Sequence, residues 1–206
     1  MRCTVCVGFR NGLGCGLDKP ETHRLFFGLE IPDSVKQRLV SIQQPVAGAR
    51  WQRPDQLHLT LVFLGSVARQ RLPDVCDAAR NLPVGQFDLT VCGLGCFGRP
   101  DLPKNLWAGV QPADKLAELH EVLNQSLCMP GFEQEKRPFC PHITLARFKR
   151  QRGSVAELLE SQERQPIGTF SVGGIALFES TQGAHGSVYQ IIERFPLAGN
   201  PERLCR

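Results

Sequence analysis

His58-Leu59-Thr60-Leu61 and His142-Ile143-Thr144-Leu145 are two copies of one short string, and they take two of only five histidines in the 206-residue chain. Each copy lies in an apolar stretch that reads as a strand. Side chains alternate faces along a strand. His58 and Thr60 therefore share one face, while Leu57, Leu59 and Leu61 share the other. The same parity separates His142 and Thr144 from Ile143 and Leu145. Each strand thus presents an imidazole and a hydroxyl side by side, backed by core.

Imidazole titrates near neutral pH and can give or take a proton. A threonine hydroxyl donates to an oxyanion without adding charge. Two such pairs facing each other would hold an anionic group between a base and an acid, an arrangement suited to in-line attack of water on a phosphodiester. One histidine would remove the proton from water and the other would deliver one to the leaving oxygen, while the threonines hold the non-bridging oxygens. A single copy is most simply a core strand with a satisfied histidine. Two copies with the same order and parity favour chemistry. Arg137, Arg147 and Lys149 flank the second copy and could neutralise phosphate charge. Arg147 has the opposite strand parity to His142 and Thr144, so it joins the site only if the strand ends or bulges before it. Otherwise it is a surface cation.

The elements that would position these residues follow from periodicity. Strands are predicted over His23–Ile31, Leu57–Leu64 (ending at Gly65), Phe87–Cys92, Leu106–Val110, Pro138–Arg147, Phe170–Phe178 and Val188–Phe195. Helices are predicted over about 34–44 with Asp33 as N-cap, over 67–80 with Pro73 as an interruption, and over Ala113–Leu127. The last has Leu116, Leu119, Val122 and Leu127 at helical spacing. Ser154-Val155-Ala156-Glu157 has a capping-box pattern that starts a short helix. Strands and helices interspersed with short connections favour an α+β fold with antiparallel pairing.

Hydrophobic residues make up 42% and charged residues 21% of the chain, which permits a buried core. The net charge of +4 is compatible with an anionic substrate but weaker than the basic bias of tight nucleic-acid binders. No apolar run approaches the ~20 residues that span a bilayer, and Met1 to Pro20 lacks a signal-peptide core. A soluble, cytoplasmic protein without membrane association is expected. Met1 to Glu21 reads as a flexible leader, followed by one folded unit from Thr22 to Arg206.

Nine scattered cysteines read as reduced thiols. Cys3, Cys6, Cys15 and His23 could in principle bind zinc, but their spacing fits no common module. Gly93-Leu94-Gly95-Cys96-Phe97-Gly98 satisfies a dinucleotide-type pattern, yet Arg99-Pro100-Asp101-Leu102-Pro103 follows where a helix would have to start. A loop at a cleft edge is the plainer expectation. His120 reads as part of a solvated helix face, His23 as a strand-start residue and His185 as part of a Gly-rich turn. Trp51 and Trp107 could stack on a base or pack in the core.

The residues around the two motifs resemble the 2H phosphoesterase superfamily, named for its two His-x-Thr/Ser-x motifs. The closer resemblance is to the bacterial and archaeal RNA 2′,3′-cyclic phosphodiesterases, historically called 2′-5′ RNA ligases. It is carried by Arg24-Leu25-Phe26-Phe27, Leu57 to Leu61 with Phe63-Leu64-Gly65, and Arg137 to Arg147. Leu177 to Ser180, Tyr189 and Arg194 to Leu197 contribute as well. The resemblance covers about Thr22 to Leu197.

It implies a bilobal α+β fold, with two related antiparallel-sheet lobes and helices around a central cleft. It also implies a metal-independent hydrolase without a cofactor, acting on RNA ends or nucleotides that carry a 2′,3′-cyclic phosphate and leaving a 2′-phosphate. His58 matches the proton donor and His142 the proton acceptor. Thr60, Thr144 and Arg147 match the phosphate-binding residues. A monomer is expected. Alternatives are 2′-5′ ligation by reversal and a non-catalytic RNA- or nucleotide-binding module. A metallohydrolase using His58 and His142 as ligands lacks a carboxylate at a fixed offset.

Overall fold

The computed structural model describes residues 21–133, 138–149, 152–162, 166–184 and 186–199. The elements run β1 (Thr22–Glu30), α1 (Asp33–Ser41), β2 (Ala49–Trp51), β3 (His58–Ala68), α2 (Leu72–Ala79), β4 (Phe87–Arg99) and β5 (Leu102–Gln111). They continue with α3 (Ala113–Cys128), β6 (His142–Phe148), α4 (Ala156–Ser161), β7 (Pro166–Val172), β8 (Gly174–Gly183) and β9 (Gly186–Pro196). The strands form one sheet in the order β7-β4-β5-β6-β3-β1-β8-β9, with β2 beside β6. All the named strands pair antiparallel, which gives the expected α+β class.

The order divides into two halves, β7-β4-β5-β6 and β3-β1-β8-β9. They meet at a single paired position, Leu59 opposite Ile143. Helices supply the rest of the junction by crossing it. Helix α1 follows β1 but packs on β7, and α3 follows β5 but packs on β3. The Arg38 guanidinium donates to the Ile167 carbonyl at 3.0 Å. A Cβ on Gly168 would lie 3.0 Å from Val35 Cγ2, so β7 receives α1 closely only because residue 168 has no side chain.

The periodic leucines of α3 set its orientation. Leu116, Leu119, Leu123 and Leu127 are all buried in one core with Leu25, Phe27 and Leu29 of β1, Leu59 and Leu61 of β3, and Ile143 and Leu145 of β6. Burying each such side chain contributes roughly 1.5–3 kcal/mol. The opposite face of β1 carries a smaller cluster, Phe26 with Ala176 and Phe178.

Several local expectations are corrected. Asp33 is the first residue of α1 and Pro32 the N-cap, with no side-chain cap. The Pro32 carbonyl instead accepts from the Val35 and Lys36 amides. Pro73 lies in the first turn of α2, where its missing N–H has no partner to lose. Strand β3 runs past Gly65, which adopts φ +72° where the β1–β3 register shifts. The strand expected over Phe170–Phe178 is two, β7 and β8, divided at Gly173. Gly93–Gly98 is not a loop but part of β4, with bulges at both ends. Cys3, Cys6, Cys15, Arg137, His185 and Cys205 lie outside the described residues. His23 is the second residue of β1, its Nδ1 2.7 Å from Glu179 Oε1.

Candidate active site

Both motifs end in the same irregularity. In β3, Thr60 faces Gly28 and Val62 faces Phe27, which leaves Leu61 as an extra residue. In β6, Thr144 faces Trp107 and Ala146 faces Leu106, which leaves Leu145 extra. A bulge inserts one residue and resets which face the following side chains take. Leu61 and Val62 are consecutively buried, as are Leu145 and Ala146. The residue after each pair, Phe63 or Arg147, returns to the face of the histidines. This is the bulge that Arg147 needed.

His58, Thr60, His142, Thr144 and Arg147 accordingly line one cavity of about 550 Å³. Their immediate supports match across the two halves. His58 Nδ1 lies 2.8 Å from the Gln56 carbonyl oxygen and His142 Nδ1 lies 2.7 Å from that of Cys140, each two residues upstream. A carbonyl only accepts, so each Nδ1 carries the proton and donates it. In the neutral ring the lone pair is then on Nε2. Both rings thus have Nε2 available to chemistry in the cavity they share.

The two rings differ in their surroundings. His58 is packed by Phe26 at 4.8 Å, Tyr189 at 4.7 Å and Phe178 at 5.9 Å between centroids. His142 meets Phe97 edge-on at 5.1 Å and Trp107 at 6.0 Å. Burial pushes the His58 pKa down to about 4, and the positive charges of Arg147 and His142 add to the effect against the Gln56 carbonyl. Burial, then Arg147, also lower that of His142, against the Cys140 carbonyl. Both shifts favour the neutral ring in the unliganded protein. Cation and hydroxyls together make the cavity attractive to an anion, which would in turn favour protonation of a ring beside it.

Several contributors were not legible as site residues. Phe97, inside the Gly-rich stretch of β4, is 36% exposed and covers His142. Phe63, 38% exposed, lines the cavity under the Arg24 guanidinium, 4.6 Å from its ring centroid. The glycines in β4 serve packing: a Cβ on Gly95 would lie 2.3 Å from the Trp107 ring, so the indole lies across the strand at that point. Trp107 is thus packed beside the site. Trp51 donates its indole N–H to the Gln44 carbonyl at 3.0 Å and lines a neighbouring cavity.

His120 is corrected from a solvated helix face. It is 8% exposed, stacks on Phe139 at 4.1 Å, pairs with Asn124 at 3.0 Å and lines the cavity of the two histidine motifs. It was hidden because its neighbour on the chain, Glu121, is exposed, and because the segment that covers it is remote in sequence. Among the described residues, no three His, Cys, Asp or Glu side chains are grouped to hold a metal ion, and no helix is long and apolar enough to cross a membrane.

The family described as LigT like Phosphoesterase matches the chain over residues 29–107 and 109–189, one stretch around each histidine motif. An RNA 2′,3′-cyclic phosphodiesterase of Thermotoga maritima is 32% identical over 177 residues, covering 82% of this chain and 92% of that protein. One of Thermus thermophilus is 32% identical over 194 residues, covering 87% and 93%. The crystal structure of E. coli LigT complexed with 3′-AMP superposes with a TM-score of 0.71 at 27% identity, covering 86% of this chain and 99% of that one.

Proposed function

The chain belongs to the LigT-like phosphoesterase family, within the 2H phosphoesterases, and we propose that it hydrolyses terminal 2′,3′-cyclic phosphates of RNA to 2′-phosphates. His142 acts as proton acceptor and His58 as proton donor. The observation that carries this reading is the matched pair of Nδ1–carbonyl bonds, which leaves two Nε2 atoms for one cavity that also holds Thr60, Thr144 and Arg147.

In this reaction the oxygen of water forms the new P–O bond as His142 Nε2 takes its proton. The P–O3′ bond breaks, and His58 Nε2 protonates the departing O3′. Thr60 and Thr144 donate to the non-bridging oxygens as charge concentrates there, and Arg147 offsets that charge. A well-placed donor to such an oxyanion is worth about 10²–10³ in rate. His142 is poised as a base because burial and Arg147 favour its neutral form, with the lone pair on Nε2. His58 must first gain a proton. The cyclic phosphate supplies the reason, because an anion close to the ring favours the imidazolium, and the Gln56 carbonyl already favours that form.

The test is incubation of the full chain with 2′,3′-cyclic nucleotides and cyclic-ended RNA in chelator, resolving 2′- from 3′-phosphate products. A 2′-phosphate product is expected. His58→Ala and His142→Ala should each lower turnover by about 10²–10⁴, with the double variant little worse than either because the residues act as a unit. Turnover left intact in both single variants would rule out the two-histidine mechanism.

A further inference from the structure

His58 stands between a polar support and an aromatic wall, and one buried residue is bonded towards both. Gln56, 7% exposed, ends the 3₁₀ turn Pro54–Gln56 that leads into β3. Its main-chain carbonyl oxygen accepts from His58 Nδ1 at 2.8 Å. Its side-chain Oε1 accepts from the Arg53 amide at 3.1 Å, which closes the turn that aims this carbonyl. Its Nε2 donates to the Ser187 carbonyl of β9 at 2.7 Å. A buried carboxamide satisfied at both ends is held in one orientation.

The strand that receives this bond is weakly supported there. Strand β8 pairs with β1 from Ala176 to Glu179. From Ser180 to Gly183 its only strand partner among the described residues is β9, from Gly186 to Tyr189. These residues form a two-stranded ribbon that projects past the sheet, and such a ribbon is marginally stable by itself. Ser187 and Tyr189, two apart on one strand, share a face. Tyr189 meets the His58 ring at 4.7 Å and 74°. Phe26, the other near ring at 4.8 Å, stands on β1 between two paired strands. Of the two rings nearest His58, Tyr189 is therefore the one carried by a projecting element.

We propose that Gln56 is a positioning residue for His58, acting on two sides of the ring at once: its carbonyl holds Nδ1, and its carboxamide pins the β8–β9 ribbon so that Tyr189 stays against the imidazole. Its effect on turnover rests on the reading of His58 as proton donor. With Nδ1 bound to the carbonyl, Nε2 is directed into the cavity, and the Tyr189 ring limits rotation of the imidazole away from it. His142 has the same polar support, from the Cys140 carbonyl. Its aromatic neighbour Trp107, however, stands on β5, which is paired on both sides, with β4 and β6. The two halves thus match in how they hold Nδ1 and differ in how the wall beside the ring is secured.

The experiment combines turnover of adenosine 2′,3′-cyclic phosphate with NMR of the histidine rings, for the full chain and its Gln56→Met and Gln56→Glu variants. Methionine keeps the length and loses both side-chain bonds. Glutamate still accepts from the Arg53 amide but cannot donate to the Ser187 carbonyl. In the unaltered protein the Gln56 carboxamide protons should exchange slowly with solvent, and rapid exchange would show that the tie is not made. Gln56→Met should lower kcat by about 10–100-fold, the scale of a misplaced group, with KM little changed. It should also lose the Nδ1–H signal of His58 and the Overhauser contacts between the His58 and Tyr189 rings. Gln56→Glu should keep the former, lose the latter and show a smaller fall in kcat. The His142 signals should stay in place in both variants, which separates an effect on one ring from a general loss of structure. Gln56→Glu carries the test if Gln56→Met does not fold. Undiminished kcat, or a fall in kcat with unaltered His58 spectra, would overturn the proposal. If the unaltered protein turns over no cyclic phosphate, the hydrolytic reading fails and the ring spectra alone decide the positioning.

Discussion

Arg147 stands on the same face of β6 as Thr144, three residues upstream, because Leu145 is the extra residue of a bulge between them. Its charge is therefore felt by both imidazole rings. Arg147→Met should lower kcat/KM by about 10–100-fold, the loss of a charge-assisted contact. It should also move the pKa values of His58 and His142 upward. NMR titration of the ring signals checks this, and an unmoved pair would mean that the guanidinium does not act on them.

Anion binding should take up protons. With the His58 pKa near 4 in the unliganded protein, the ring is neutral at pH 7, and a bound phosphate group raises that pKa. Calorimetry of inorganic phosphate or a 2′-nucleotide in buffers of different ionisation enthalpy should show net uptake. Affinity should fall as pH rises from about 4 to the pKa that the ring takes in the complex. No uptake would remove His58 as the acid.

Stability should depend on pH in a defined window. The folded pKa of His58 lies below its unfolded value of about 6.5, so the unfolded chain binds more protons between about pH 4 and 6.5. Stability therefore rises with pH through that window and is lost as pH falls through it. A depression of this size is worth roughly 3 kcal/mol. Denaturant midpoints at pH 7 and pH 5 should differ, and His58→Phe should flatten the difference.

The Gly95–Trp107 contact should be intolerant of a methyl group. Gly95→Ala forces the indole to shift, which costs about 1–3 kcal/mol by analogy with other overpacked sites and disturbs the packing of Trp107 beside His142. A lower denaturant midpoint with reduced turnover is expected. A variant equal to the parent in both would show that the ring is not confined there.

Much of this was readable because two periodicities carry most of the information. The period of two in the motif strands placed His58 and Thr60, and His142 and Thr144, correctly, and the leucine spacing of α3 gave its buried face. The reading failed where geometry breaks period or where contacts are remote in sequence. Parity could state the condition for Arg147 but could not supply the bulge. The Gly-rich run of β4 looked like a loop because its glycines make room for a ring on the neighbouring strand. His120 looked solvated because Phe139, which stacks on it, is far along the chain. Strand β2 has too few residues to show any period, although it brings Arg50 opposite Arg147.

The crossed helices make the cleft a property of the whole chain rather than of either repeat. Helix α1 has nine residues, too few to persist in water by itself, and its Val35 packs on Gly168 of the other half. Separated, each half would lose its helix's bed and uncover a row of leucines along its sheet. The two histidine strands therefore keep their mutual placement only while both halves are folded, since loss of either removes the footing of the other.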